Sequence, residues 1–199
     1  MKISARSTLV EVAGHVAGAL SSARIRAVLT GGACATLYRK GEYQSSDLDF
    51  ILQSPVTRRE LDDAMKPTGF RRTGSHYTHA RTSFFVEFPA GPLGIGADID
   101  VRPVVRRIGG VGVRLLSATD SCRDRLAAFY HWNDRQSLNT AIQIATHSNG
   151  DIKAIRVWSR REGAADRFAD FLKALDQRPA KGRRSRRPAA AGRKRAKRA

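Results

Sequence analysis

Residues 29–52, LTGGACATLYRKGEYQSSDLDFIL, combine a double glycine with two aspartates that are separated by one residue. An apolar run leads into Gly31-Gly32, and Asp47 and Asp49 open a second apolar run. Side chains two residues apart on a strand point to the same face. A strand that begins at Asp47 would therefore place both carboxylates on one side and turn the residues between and after them toward the core.

This arrangement suits a metal-bound polyphosphate. Mg²⁺ prefers a few hard carboxylate oxygens and leaves its other positions to water and phosphate. Glycines without Cβ atoms let backbone N–H groups approach a phosphate closely. The alternative is an ordinary turn followed by a solvated strand start, but two acids in an otherwise apolar strand repel each other and are costly to bury without a cation. The segment therefore predicts a nucleotide site.

The ordered pattern G-G, helical spacer, S-D-x-D resembles the DNA polymerase β-type nucleotidyltransferase superfamily, especially its small bacterial AbiEii/MenT-like toxin members, over about residues 5–145. The resemblance implies an α+β nucleotidyltransferase fold, with a small mixed β-sheet, flanking helices and a helical C-terminal part. It implies that Gly31, Gly32 and Ser46 contact phosphate. It also implies that Asp47 and Asp49 bind two Mg²⁺ ions and that a third carboxylate on a neighbouring strand completes the metal site.

Two candidates exist for the third carboxylate. Glu87 lies in the apolar run SFFVEFP, where an uncompensated acid is costly. A second D-x-D, Asp98-Ile99-Asp100, follows a glycine-rich loop, where a solvated turn is expected. We therefore favour Glu87 as the third catalytic and metal-binding residue, with Asp100 as the alternative.

A helix is predicted from Ser117 or Thr119, and it resembles the family's helix that presents a lysine or arginine to the nucleotide phosphates. Arg125 falls at the lysine position, and Arg123 is its competitor. Arginine departs from the commoner lysine, but a guanidinium also binds phosphate oxygens, often in bidentate fashion. The alternative is a solvated helix face on which both arginines pair with neighbouring aspartates. Candidates for the acceptor side of the cleft follow on the same segment: His131, Trp132 and Asp134.

The composition indicates one catalytic unit with an appendage. We divide the 199 residues into a catalytic domain (1–116), a helical part (117–176) and a basic tail (177–199). Strands are predicted at 70–76 and 101–105, and one long helix at 151–175. The two cysteines, Cys34 and Cys122, show no metal-binding spacing. Without a recognisable signal peptide or membrane span, the expected location is the cytoplasm.

The charge is the second strong feature of the chain. The formal net charge is +18, and residues 178–199 hold eleven lysines and arginines and no acid. Such a segment cannot offset its ordering entropy by burial, so it predicts a disordered polycation that binds nucleic acid by counterion release. The alternative is a solubilising or ribosome-adhering tail. The proposed nucleic-acid contacts are Arg183, Arg184, Arg186, Arg187, Arg193, Lys194 and Arg195.

Together these features predict transfer of a nucleoside monophosphate from an NTP to a hydroxyl acceptor, with two Mg²⁺ ions. The basic tail favours RNA, tRNA foremost, as in the toxin members, and a toxin implies a cognate antitoxin protein. One alternative is an inactive relative that only binds nucleic acid, which the intact S-D-x-D argues against. The other is a small-molecule, antibiotic-type nucleotidyltransferase, for which an acidic acceptor pocket is expected and a polycationic tail is unnecessary.

Overall fold

The computed structural model describes residues 3–39 and 45–177, and a mixed β-sheet of seven strands forms the centre of this part. The strands are β1 (Ala27–Leu29), β2 (Asp47–Leu52), β3 (Arg71–Thr73), β4 (His76–His79), β5 (Thr82–Glu87), β6 (Val104–Ile108) and β7 (Val111–Leu115). Across the sheet they lie in the order β3-β4-β5-β2-β1-β7-β6. The pairs β2–β5 and β1–β7 are parallel, and the other neighbouring pairs are antiparallel.

Helices pack around this sheet and continue beyond it. They are α1 (Leu9–Ser22), α2 (Gly31–Thr36), α3 (Arg58–Met65), α4 (Ala118–Trp132), α5 (Arg135–His147), α6 (Ile152–Arg161) and α7 (Ala165–Asp176). A capping box begins α3, since the Glu60 N–H donates to Thr57 Oγ1 at 3.2 Å and the Thr57 N–H donates to Glu60 Oε2 at 2.7 Å. Within residues 3–39 and 45–177, no helix has both the length and the apolarity needed to cross a bilayer.

The hydrophobic core is built around α1 and the middle strands. Leu9, Val12, Val16 and Leu20 recur at helical spacing on α1, and all four are at most 1% exposed. Phe50 of β2 belongs to the same core. Because side chains alternate along a strand, burying Phe50 turns the aspartates of β2 to the other face of the sheet.

The prediction of a single helix over residues 151–175 is wrong. The chain leaves α6 at Arg161 and enters α7 at Ala165, and Gly163 between them has φ +69°. This left-handed conformation ends a helix, and glycine adopts it without a Cβ clash. The break allows Trp158 of α6 and Phe168 of α7 both to be buried, at 4% exposure each.

Two predicted strands have other limits in the structure. The segment predicted as one strand over residues 70–76 is divided between β3 and β4, which turn at Gly74, where φ is +63°. The strand predicted at 101–105 begins three residues later, at Val104. Pro103 precedes it, and a proline has no N–H to donate to a strand ladder.

Candidate active site

The two aspartates of the D-x-D motif lie at the start of β2 and share one face of the sheet. Asp47 and Asp49 are half-buried, whereas Leu48 and Phe50 between and after them are at most 1% exposed. This alternation is the one that the sequence predicts. Strand β2 lies between β1 and β5, so each aspartate has neighbours on both sides.

Glu87 reaches the same place from the neighbouring strand. Strand β5 runs parallel to β2, and Glu87 is in register with Asp49. Carboxylate oxygens of Asp47, Asp49 and Glu87 lie within 4.8 Å of one another. Asp100 does not join them: its side chain is 80% exposed and its Oδ1 lies 3.6 Å from Nε of Arg102. The structure thus brings Glu87, and not Asp100, to the aspartates.

Burial and two neighbouring carboxylates raise the proton affinity of Asp49. Burial first, and then the negative charges of Asp47 and Glu87, raise the pKa of Asp49 from 3.8 to about 7, although Arg125 acts in the opposite direction. A carboxyl group with such a pKa lacks a sufficient positive partner among the described side chains. A bound cation would supply it.

Side chains larger than glycine would collide with neighbouring residues at Gly31 and Gly32. Gly31 has φ +64°, and a Cβ atom there would overlap the carboxylate of Asp49. A Cβ atom on Gly32 would lie 2.9 Å from Cβ of Ser45. Both glycines stand in the first turn of α2, where backbone N–H groups have no partner within the helix. The turn therefore brings backbone donors directly beside the carboxylates.

Of the two serines before the motif, the first faces the site. Ser45 is 6% exposed, and its hydroxyl donates a short hydrogen bond to Oδ1 of Asp47. Ser46, which the sequence interpretation chose, is exposed, and its carbonyl accepts from the N–H of Phe85 at 3.1 Å. The sequence analysis did not select Ser45. The two-residue alternation of β2 places Ser45 on the same face as Asp47 only if the chain is also extended before Asp47, and the sequence alone does not show this.

The two candidate arginines occupy different environments. Arg125 lines the same cleft as Asp47 and Asp49, and its Nη2 lies 2.7 Å from Oδ2 of Asp124. Burial lowers the pKa of Arg125, but the neighbouring carboxylates, Asp124 first, outweigh it, so the net shift is upward. Arg123 lies elsewhere: it is 9% exposed, is bound by Asp98 and Asp120, and stacks over Trp158 at 5.0 Å.

The cleft itself has a volume of about 230 Å³ and is strongly polar. Asp134, an acceptor-side candidate, is among its walls and caps α5 by accepting from the N–H groups of Gln136 at 2.9 Å and Ser137 at 3.2 Å. His131 and Trp132 are exposed, and Trp132 is the more open at 76%. The tail residues proposed to bind nucleic acid lie outside the described residues. Four residues of the cleft carry no signal in the sequence motifs: Arg39, Gln136, Ser137 and Thr140.

The residues present fit a divalent metal of the Mg²⁺ type. Three carboxylates supply hard oxygen donors at mutual distances that one or two ions can bridge. Burial, and then the charges of Asp47 and Glu87, raise the pKa of Asp49, and a bound cation would lower it. No thiol or imidazole stands among the three ligands, which favours Mg²⁺ over softer metals.

Comparison with known proteins agrees with this picture at the level of fold. No protein-family model and no curated protein matches the sequence. An antigenic nucleotidyltransferase-like protein from Paracoccidioides brasiliensis is similar in structure over 84% of this chain and 92% of its own, with a TM-score of 0.51 and 18% identity. The structure of ANT(2″)-Ia in complex with adenylyl-2″-tobramycin matches over 84% of this chain and 99% of its own, with a TM-score of 0.47 and 15% identity. The chain has a nucleotidyltransferase fold, as the sequence predicts.

Proposed function

We propose that the chain is a metal-dependent nucleotidyltransferase that moves a nucleoside monophosphate from an NTP to a hydroxyl acceptor. One observation carries the proposal: three carboxylates within 4.8 Å of one another stand beside a glycine turn that admits no side chain. The carboxylates call for a cation, and the turn offers backbone donors to an anion. A metal-bound triphosphate satisfies both requirements at once.

Asp47, Asp49 and Glu87 would hold two Mg²⁺ ions, as the superfamily resemblance implies. When bound, such ions lower the pKa of an attacking hydroxyl and stabilise a leaving pyrophosphate. Ser45 donates to Asp47 and so fixes the orientation of this carboxylate. This chemistry would require no histidine.

Other groups around the cleft would bind the phosphates. Arg125 is held in place by Asp124, whose Oδ2 accepts from Nε at 3.1 Å and from Nη2 at 2.7 Å. Its remaining N–H groups can donate to phosphate oxygens. The backbone N–H groups of Gly31 and Gly32 would add donors from the first turn of α2. Because Arg123 is engaged by two carboxylates and a tryptophan ring, we leave it out of the phosphate-binding set.

The acceptor that we propose is RNA, with tRNA foremost, and the role that we propose is that of a toxin with a cognate antitoxin, as in the AbiEii/MenT-like proteins. The support is electrostatic: the net charge is +18, and eleven of the positive charges lie in residues 178–199. A polycation lowers the free energy of binding to a phosphate backbone with little dependence on base sequence.

Incubation with each labelled NTP, Mg²⁺ and either total RNA or an aminoglycoside mixture tests the proposal. We expect label in RNA and in tRNA above all. The matched control is the Asp47→Ala/Asp49→Ala double variant, which removes the metal ligands. Label on the aminoglycosides instead would support the small-molecule alternative, and no label in any arm would support a relative that only binds nucleic acid.

The contribution of the tail can be measured separately by deletion of residues 178–199. Turnover at saturating RNA should survive, because the deletion removes none of the proposed catalytic groups. Affinity should fall, and since log K changes with log salt by roughly −0.7 to −0.9 per phosphate neutralised, the slope should become shallower by several units if half of the tail engages. Identical salt slopes for the full and shortened chains would show that the tail does not contact RNA.

A further inference from the structure

A second cleft lies at the other end of β1, and three arginines line it. It has a volume of about 320 Å³, a size typical of small-ligand sites. Strands β1 and β7 pair only at Leu29 and Leu115, so they diverge toward their N-terminal ends, and the cleft opens between them. Apolar atoms from α1 and β2 face this cleft, and the arginines around them are Arg24, Arg26 and Arg114.

None of these three arginines forms an ion pair with a carboxylate of residues 3–39 or 45–177. The Nε atom of Arg114 is buried and has no hydrogen-bond partner there. A buried donor without an acceptor is costly. The cleft therefore carries three positive charges that no described carboxylate pairs with, and an anionic ligand would balance them.

The backbone at Arg24 supplies an independent observation. Helix α1 ends in a Schellman motif, in which the N–H of Ile25 donates to the carbonyl of Leu20 at 2.8 Å and the N–H of Arg24 to that of Ser21 at 2.9 Å. Arg24 has φ +60°, at the position where helices usually place glycine. Strained backbone conformations cluster at functional sites, and the side chain of Arg24 lines the cleft.

We propose that Arg24, Arg26 and Arg114 bind the phosphate of a nucleotide, either a free mononucleotide or one within an RNA strand. Guanidinium groups match phosphate oxygens in geometry and charge. The ligand's base or sugar would occupy the remaining volume of the cleft, whose lining also includes Ala17, Ala27 and Gly112. The site is separate from the carboxylate cleft, because Phe50 points to the opposite face of β2 from Asp49. It does not depend on the proposed catalytic function.

Calorimetric titration of the full chain in EDTA tests this site without metal at the carboxylates. The probes are inorganic phosphate, AMP and a short 5′-phosphorylated RNA. The variants are Arg114→Gln and Arg24→Gly, and the control is Arg59→Gln, which removes one charge from a side chain that is 93% exposed on α3. We expect 1:1 binding of AMP, weakened about tenfold or more in the two cleft variants and by less than about twofold in the control.

The two variants also separate binding from folding. Arg24→Gly relieves the left-handed strain, so it should raise the melting temperature while it weakens the binding of AMP. A loss of affinity in this variant therefore cannot come from unfolding. Tighter binding of RNA than of AMP, lost in the same variants, would assign the phosphate to an RNA strand, and equal affinities would assign it to a free nucleotide. Absence of binding by AMP and RNA, or an equal loss in Arg59→Gln, would overturn the proposal.

Discussion

The acidic cleft and the arginine cleft each bring together side chains of like charge, but the charge is neutralised in different ways in the two clefts. In the acidic cleft, burial and neighbouring charge raise the pKa of Asp49 to about 7, so the cluster can take up a proton when no cation is bound. In the arginine cleft, Arg24, Arg26 and Arg114 have no carboxylate partner among the described residues, and Arg24 and Arg26 are exposed. A proton or a cation would neutralise the acidic cluster, whereas an anion would neutralise the arginine cluster.

The two clefts also differ in how their backbone is adapted. Each contains a residue in the left-handed region, Gly31 at φ +64° in one and Arg24 at φ +60° in the other. At Gly31 the residue type suits the conformation, and a side chain would also collide with Asp49. At Arg24 the residue type opposes the conformation. This contrast suggests that the carboxylate cleft is shaped for close approach of the backbone, and the arginine cleft for its side chains.

The largest expected effect is the loss of nucleotide transfer in variants of the acidic cleft. Asp47→Ala or Asp49→Ala should reduce nucleotide transfer about a thousandfold or more, because each removes a metal ligand worth several kcal/mol of transition-state stabilisation. The fold should persist, since relief of like-charge repulsion does not disturb packing. Transfer assays and circular dichroism on both variants check this. A double variant that keeps activity within threefold of wild type would refute the catalytic assignment.

The next effect separates the two candidates for the third ligand. Glu87→Gln should cut turnover on the order of a hundredfold, because Glu87 is in register with Asp49 within the cluster. Asp100→Asn should leave turnover nearly unchanged, since its side chain is 80% exposed and pairs with Arg102. Steady-state kinetics at saturating Mg²⁺ measure both. The reverse ranking would transfer the role to Asp100.

A smaller effect concerns the pH dependence of stability. The pKa of Asp49 rises from 3.8 to about 7 on folding, so between these values the folded protein binds more protons than the unfolded chain. The unfolding free energy contributed by this group is therefore highest below pH 4, falls as the pH rises to 7, and is level above. Urea denaturation of wild type and Asp49→Asn in EDTA should show this slope only in wild type.

Mg²⁺ provides the control for that pH dependence. At pH 8 the ion should stabilise wild type, because it neutralises the ionised cluster, and at pH 5 it should do so less, because protons compete for Asp49. The variant Asp49→Asn should respond weakly at both values. Equal stabilisation of wild type at both pH values would contradict the assignment of the shifted pKa to the metal site.

The smallest effect is on the arginine side. Arg24→Gly removes left-handed strain of about 1 kcal/mol. Glycine also increases the entropy of the unfolded chain, which offsets part of this gain, so the free energy of unfolding should rise by roughly 0.5 kcal/mol. Asn133 has φ +54°, and asparagine tolerates that conformation, so Asn133→Gly should gain less. Denaturation midpoints of the two variants measure the difference. A less stable Arg24→Gly protein would show that the side chain stabilises the fold.

Much of the acidic cleft could be predicted from local patterns. The alternation of Asp47, Leu48 and Asp49 defines one polar and one buried face, and an acid in the apolar run around Glu87 indicates a neutralising partner. The choice between Ser45 and Ser46, or between Arg123 and Arg125, could not be made in the same way. Each pair is close in sequence and equal in chemistry, so only the direction of each side chain in the fold distinguishes its members.

The sequence by itself determined the strand with its two aspartates, the glycine turn, the capping box at Thr57 and the excess of positive charge, because each depends on neighbours a few residues apart. Tertiary structure decided the rest. The parallel register of β2 and β5 brings Glu87 to Asp49 across 38 residues of chain. The divergence of β1 from β7 brings Arg24 and Arg114 to one cleft. Such contacts depend on strand order and register, which no short segment of sequence contains.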